Sequence, residues 1–114
     1  MMHNKHYERE FADMMINKGY HCERVAGSGR AKASVCDCVL FAKGRVYLVE
    51  VKATKEEKLY LRGGIQEQLR VLRETAQKQE VLPLLAIKFK YRGWNTYIVP
   101  ETHAPLSFQG EMVL

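Results

Sequence analysis

The chain has 114 residues, of which 46% are hydrophobic and 27% charged, so it is long enough for one globular domain around a single core. No apolar run approaches the roughly 20 residues that a membrane-spanning helix needs, and the polar N-terminus does not resemble a signal peptide, so we expect a cytoplasmic protein. The formal net charge of +5 favours a polyanionic partner such as nucleic acid, although excess lysine can also serve solubility alone.

The first predicted element is an amphipathic helix over residues 5–18, which Gly19 follows at the position of a C-terminal cap. The helical period turns Glu8 inward at one end of this helix, whereas Glu10 and Asp13 can sit in water.

Three strands follow this helix, and a second helix and two further strands come after them. The strands are predicted at 20–25, 35–42 and 45–53, the second helix at 65–78, and the last two strands at 82–91 and 94–100. A loop rich in small residues fills 26–34, a turn at Lys43-Gly44 joins the second and third strands, and 101–114 is a weakly patterned, loosely held tail.

The three cysteines are Cys22, Cys36 and Cys38, an odd number that argues against a disulfide framework. The sequence "CDC" could indicate a metal site. However, Cys36 and Cys38 alternate along a predicted strand and point to one face, and no second Cys or His pair follows at zinc spacing. We interpret them as small buried hydrophobes.

Aromatic residues alternate with Lys88, Lys90 and Arg92 near the end of the fourth predicted strand. Interleaved aromatics could indicate base stacking. A strand with one aromatic face and one basic face explains the pattern more simply, and the basic face would at most meet phosphates.

Two charges in the third strand, Glu50 and Lys52, share a face with Asp37 of the second strand. A hairpin centred on Lys43-Gly44 places Asp37 directly opposite Glu50, with Cβ atoms about 4.5–5.5 Å apart. Two close carboxylates repel unless a cation lies between them, and oxygen ligands suit Mg²⁺ or Mn²⁺. The backbone carbonyl of Val51 is a candidate third ligand.

An alternative is that these charges form ion pairs on the exposed face of an edge strand, and the hairpin alone does not decide between the two. Glu8 could add a further carboxylate to a metal site, and Arg9 and Arg24 could bind phosphates. The 26–34 loop is placed to follow a DNA backbone with three of its residues, Ser28, Arg30 and Lys32.

An acidic residue in one strand followed by E-x-K in the next resembles the PD-(D/E)XK nuclease superfamily, here without the proline. The segments "YERE", "ERVAGSG", "VYLVEVKATKEEKLYL", "QEQLRVL" and "LPLLAIKFKYRGW" resemble, in this order and spacing, the archaeal Holliday junction resolvase family over about residues 5–100. The resemblance implies an α/β restriction-endonuclease-like fold, a central mixed five-stranded sheet flanked by helices, as a single nuclease domain over 1–114.

The resemblance also implies roles for individual residues. The catalytic set is expected to be Glu8, Ser28, Asp37, Glu50 and Lys52, and the metal ligands Glu8, Asp37, Glu50 and the carbonyl of Val51. Gln68 is expected to support the site, and DNA contacts are expected from Arg9, Arg24, Arg30, Lys32 and Lys55. Because the loop varies in length among such proteins, Ser34 is the alternative to Ser28.

The family further implies an Mg²⁺-dependent homodimer, with Mn²⁺ as a substitute, that makes paired nicks in a four-way junction. A sliding clamp and a branch-migration helicase are candidate partners. A twofold-symmetric dimer could engage both opposed strands of an open junction at once. Apolar residues are candidates either for this interface or for the core: Leu69, Val71, Leu72, Phe89, Tyr91 and Trp94.

Three functions therefore follow from the sequence. The first is a structure-selective endonuclease that resolves Holliday junctions in recombination and repair. The second is a restriction-type or repair-type nuclease with the same fold. The third is a non-catalytic DNA-binding module, which would gain nothing from clustered carboxylates.

Overall fold

The computed structural model describes residues 4–25, 34–110 and 114. These residues form two helices, α1 (Asn4–Asn17) and α2 (Gly64–Lys78). They also form the strands β1 (His21–Arg24), β2 (Cys38–Ala42), β3 (Arg45–Thr54), β4 (Lys58–Leu59), β5 (Leu82–Phe89), β6 (Gly93–Ile98) and β7 (Leu106–Ser107).

Five of the strands form a mixed sheet, as predicted, and they lie in the order β1-β2-β3-β5-β6. The β2–β3 hairpin pairs Cys38 with Val49 and Ala42 with Arg45, which confirms the predicted register. Its turn has positive φ at both central residues, 54° at Lys43 and 76° at Gly44, as the two-residue turn matched to strand twist requires. The β3–β5 pair is parallel, and α2 forms the crossover between these two strands.

The helices cover opposite faces of this sheet, with α1 packing on β1, β2 and β3 and α2 on β3 and β5. The core on the α1 face includes Phe11, Met15, Leu40, Val49 and Val51, all fully buried or nearly so. The core on the α2 face includes Leu69, Leu72, Leu85, Ile87 and Phe89. In a strand that is buried on both faces, a charged side chain needs a compensating partner, and β3 is such a strand.

Four of the six candidate interface residues belong to the core of this chain. Leu69, Leu72, Phe89 and Trp94 are buried, and Val71 is partly buried. Tyr91 is the exception, because it is 86% exposed. The predicted strand that should have carried Tyr91 ends at Phe89, so Tyr91 lies in the turn between β5 and β6.

All three cysteines are buried, as predicted, but Cys36 and Cys38 do not share a face. Cys38 packs in the α1 core and Cys36 in the α2 core. The expectation of a common face is wrong because β2 begins at Cys38 rather than at residue 35, so strand alternation does not extend back to Cys36.

Part of the tail expected to be loosely held is paired and packed. Its strand β7 pairs with β4 in a second, small sheet that the sequence analysis did not predict. Phe108 packs edge-on against Phe89 at 5.7 Å, and the Lys18 ammonium donates to the carbonyl of Leu114 at 2.6 Å. Neither α1 nor α2, the helices of the described residues, is long and apolar enough to cross a membrane.

Candidate active site

Asp37 directly precedes β2, at the position where the pairing of β2 with β3 ends. Its N–H donates to the carbonyl of Val49 at 2.8 Å, which continues the hairpin pairing by one residue beyond β2. Its Oδ2 then accepts the backbone N–H of Val51 at 2.8 Å. The Asp37 carboxylate thus takes the place of a strand partner, which fixes it beside Glu50.

Glu50 and Lys52 lie on the α2 face of β3, because their neighbours Val49 and Val51 fill the α1 core. The Lys52 ammonium is 3.2 Å from Glu50 Oε2 and donates to Gln68 Oε1 at 2.7 Å. Gln68 belongs to α2, so the crossover helix holds this ammonium in place.

The alternative of ion pairs on an exposed edge strand is wrong. The strand that carries both charges is the third of five in the sheet. The side chains of Glu50 and Lys52 are only 9% and 13% exposed. Burying charged groups is costly, so their placement needs a reason other than solubility.

Glu8 reaches the same point from α1, on the other face of the sheet. Its side chain is 13% exposed and interacts electrostatically with Asp37, and its Oε1 lies 3.9 Å from a guanidinium nitrogen of Arg24. Arg9, the next residue of α1, is exposed. The structure therefore brings together Glu8, Arg24, Asp37, Glu50, Lys52 and Gln68, six of the residues predicted from the sequence.

The three carboxyl groups are mutually destabilised as anions. Burial and the charge of Asp37 raise the pKa of Glu50 to about 7, against the opposing effect of Lys52. Burial also raises the pKa of Asp37, although the Val51 N–H and Lys52 act against it. Burial and the charge of Asp37 raise the pKa of Glu8, which Arg24 only partly offsets.

Each of these carboxyl groups therefore favours its protonated form more than a free carboxyl group does, because burial disfavours the anion and neighbouring charges add repulsion at Glu8 and Glu50. A cation bound among them would offset this repulsion.

Other predicted residues lie away from this cluster or outside the described residues. Lys55, one residue after β3, and Ser34, the alternative to Ser28, are exposed. Ser28, Arg30 and Lys32 lie outside the described residues.

Glu10, which was expected to sit in water, instead anchors α1 to the sheet. Glu10 Oε1 accepts hydrogen bonds from Trp94 Nε1 at 2.8 Å and from the Lys88 ammonium at 3.0 Å. These contacts fix α1 to β5 and β6 two residues beyond Glu8. A buried tryptophan needs an acceptor for its N–H, and that requirement was the available signal.

Comparisons with known proteins agree with this geometry. The sequence matches the archaeal Holliday junction resolvase (Hjc) family over residues 2–104. The fold is similar to that of Archaeoglobus fulgidus Hjc, a Holliday junction resolvase from an archaeal hyperthermophile, with a TM-score of 0.70 and 25% sequence identity. That alignment covers 90% of this chain and 87% of the other. A comparison with curated proteins finds no matching sequence.

The family match spans nearly the whole chain and includes every residue of the carboxylate cluster. The structural similarity to the Archaeoglobus protein covers the same mixed sheet and both helices. The chain belongs to the archaeal Holliday junction resolvase family, whose members are crossover junction endodeoxyribonucleases.

Proposed function

We propose that this chain is an Mg²⁺-dependent endonuclease that resolves four-way DNA junctions by paired, symmetric nicks in homologous recombination and repair. The observation that carries the proposal is the convergence of Asp37, Glu50 and Lys52 in a nearly buried site at the open edge of β3. A module that only bound phosphates would be weakened by buried carboxylates, because anions repel.

The donor set suits a hard divalent cation, which would offset the repulsion among the carboxyl groups. Asp37, Glu50 and the carbonyl of Val51 would hold it, with Glu8 nearby as a further carboxylate. Within 4–25, 34–110 and 114, no three or more His, Cys, Asp or Glu side chains form a complete metal cluster. Waters and a phosphate oxygen would therefore complete the shell.

Mg²⁺ is the expected ion, and Mn²⁺ can substitute because it accepts the same oxygen ligands. When bound, the ion makes a water more acidic and stabilises negative charge on the phosphate. The protein's own groups then position the reactants. Lys52, held by Glu50 and Gln68, orients the attacking water and offsets charge that develops on the phosphate oxygens.

Basic residues around the carboxylate cluster are proposed to bind the DNA backbone. Arg24 and Arg9 border the site from β1 and α1, and Lys55 directly follows the end of β3. From the sequence alone, Arg30 and Lys32 in the 26–34 loop are also proposed to bind the DNA backbone. Ser28 in the same loop is proposed to have a catalytic role. Sequence-independent contacts of this kind position a junction without reading bases.

The experiment that tests the activity is cleavage of a labelled mobile four-way junction with and without Mg²⁺. Asp37→Asn and Glu50→Gln are expected to bind the junction in chelator as the wild type does but to cut it at least 100-fold more slowly. Asp13→Asn, an exposed change on α1, is the matched control and should cut normally. Wild-type rates for either site variant would refute the site assignment.

Selectivity is tested on linear duplex, flap and mismatched DNA with the same flanking sequence. We expect cleavage of the junction alone to be efficient. Equal rates on all four substrates would exclude a resolvase and favour a nuclease of restriction or repair type.

The homodimer has a physical reason in the twofold symmetry of an open junction, which presents equivalent phosphates on opposed strands. A plasmid with an extruded cruciform separates the alternatives: paired nicks in one encounter give linear DNA, whereas independent single nicks relax the plasmid and lose the cruciform. Light scattering of the free protein gives the oligomeric state. A sliding clamp and a branch-migration helicase remain candidate partners, to be tested by pull-down.

A further inference from the structure

The turn between β5 and β6, residues 90–92, lies at the same end of the sheet as the carboxylate cluster. In the parallel β3–β5 pair, Lys52 is level with Ile87 and Thr54 with Phe89. The N–H of Lys90 then donates to the carbonyl of Thr54 at 2.9 Å. At about 3.3 Å per residue, the turn begins roughly 10 Å beyond the level of Lys52.

Tyr91, at the tip of this turn, has a conformation and an environment that the fold does not require. Its φ is 75°, a left-handed value that a bulky side chain rarely adopts. The residue is 86% exposed, so its ring gains little from packing. Both features disfavour folding, and glycine is the residue that ordinarily occupies such a position.

Basic residues flank Tyr91 on both sides in the chain. The partly buried Lys90 has its ammonium 5.6 Å from the centroid of the Tyr91 ring. Arg92 pairs with Glu57 at 3.4 Å, but both side chains are more than half exposed, at 51% and 80%, so the pair is weak and can exchange for a phosphate. The turn thus presents an exposed aromatic ring between a partly buried lysine and an exposed arginine.

A second aromatic–cation pair lies in the neighbouring segment between β3 and α2. Arg62 stacks over Tyr60 with its guanidinium carbon 4.8 Å from the ring centroid, and Tyr60 is 46% exposed. Glu56 and Glu57 in the same segment reduce its net positive charge. Because the net positive charge is small, attraction to phosphates alone does not account for the exposed tyrosines at this end of the molecule. Stacking of their rings on bases does not depend on net charge.

We propose that Tyr91 stacks on a base of the junction DNA near the crossover while Lys90 and Arg92 contact the adjoining phosphates. This inference rests on the proposed junction cleavage and adds a base contact to it. Bases inside a continuous duplex have covered faces, but those at a branch point can unstack. The turn begins roughly 10 Å along the strands from the level of Lys52, which corresponds to about three base steps at 3.4 Å per step.

The test compares three variants for binding in chelator, where cleavage does not occur. Tyr91→Gly and Tyr91→Ala should weaken junction binding about tenfold, and Tyr91→Phe should bind within twofold of wild type because the ring remains. Binding to linear duplex of the same sequence should change by less than twofold. A 2-aminopurine base at the crossover should be quenched by wild type and Tyr91→Phe but not by Tyr91→Gly.

Tyr91→Gly also separates binding from folding. Glycine adopts this φ without a steric cost, so the melting temperature of the variant should equal or exceed that of the wild type while its junction affinity falls. Glu80→Gly is the matched control: Glu80 also has positive φ, 56°, but precedes β5 at the opposite end of the sheet. Its stability should rise in the same way, and its junction binding should not weaken.

Two failures are distinguishable. If the wild type cuts the junction and Tyr91→Gly and Tyr91→Ala bind it as tightly as the wild type, the stacking inference is wrong and the proposed activity stands. If the wild type cuts no junction with Mg²⁺ or Mn²⁺, the proposed activity falls, and the base contact proposed here falls with it.

Discussion

Glu50 shows why a nearly buried carboxylate is tolerated in the middle of a sheet. The residue is 7% exposed, and its nearest cation, Lys52, is shared with Gln68. Lys52, together with the more distant Arg24 beside Glu8, does not fully compensate three neighbouring carboxyl groups, so the metal-free site is under electrostatic strain at neutral pH. Sites of function often carry such strain, and a bound cation would relieve it.

We expect Glu50 to make the metal-free protein less stable as the pH rises. Its ordinary pKa is 4.5 and its pKa in the folded chain is about 7. A raised pKa means that the protonated group stabilises the fold fully below pH 4.5, and this contribution is lost as the pH rises through 7. The loss amounts to at most about 3 kcal/mol.

Urea unfolding of the wild type and of Glu50→Gln, in chelator at pH 5 and pH 8, measures this effect. The glutamine of the variant cannot ionise. The free energy of unfolding of the variant relative to the wild type should therefore be higher at pH 8 than at pH 5. The same difference in stability at both pH values would show that Glu50 titrates normally.

Gln68 is expected to act through Lys52. Gln68→Ala frees the ammonium from α2, so we expect the cleavage rate at saturating junction to fall about 10- to 100-fold while junction affinity stays within twofold. Gln66→Ala is the control, because Gln66 lies on the same helix but contacts His103. A loss of affinity without a loss of rate would instead make Gln68 a DNA contact.

At the scale of elements, α1 delivers Glu8 only if its N-terminal half is fixed to the sheet. Glu10→Ala removes the acceptor of Trp94 and Lys88 and should lower the free energy of unfolding by about 1–3 kcal/mol. It should also slow cleavage. Glu23→Ala, which breaks an exposed pair with His21, should cost less than about 0.5 kcal/mol by the same unfolding measurement. Equal costs would mean that the Glu10 contacts do not hold α1.

The helices and the five main strands could be predicted because each repeats its hydrophobic period several times, as in α2 with Leu69, Leu72 and Ala76 on one stripe. The hairpin register followed from a two-residue turn, and with it the meeting of Asp37 and Glu50. Strands β4 and β7 are two residues long and show no period. The partners of Glu10 lie 78 and 84 residues away in sequence, beyond the reach of any local pattern.

At the scale of the whole molecule, the site draws on both layers that sandwich the sheet: Glu8 comes from one helix and Gln68 from the other. The individual carboxylates were predictable from motif and register. The raised pKa values of these groups could not be predicted, because they depend on how deeply each group is buried. A sequence pattern does not specify burial at the end of a strand.

Metal binding should therefore stabilise the entire fold. At pH 8, Mn²⁺ or Mg²⁺ at 100 times its Kd should add about 2.7 kcal/mol to the free energy of unfolding of the wild type. Glu50→Gln and Asp37→Asn should gain far less, and Asp13→Asn should gain as much as the wild type. A thermal melt at several metal concentrations gives the shift; an equal shift in all four proteins would place the ion elsewhere.

The tight turn at Lys43-Gly44 has a consequence for how this chain can vary. Sheet side chains alternate, so one residue gained or lost in the turn would shift the pairing of β2 against β3 and send Asp37 to the far side from Glu50. The number of residues between Asp37 and Glu50 is therefore constrained by the geometry of the hairpin, just as the two residue types are constrained by the need for carboxylates. A glycine inserted after Lys43 should abolish cleavage, whereas the same insertion after Glu56, outside the main sheet, should leave the rate within a few fold of wild type.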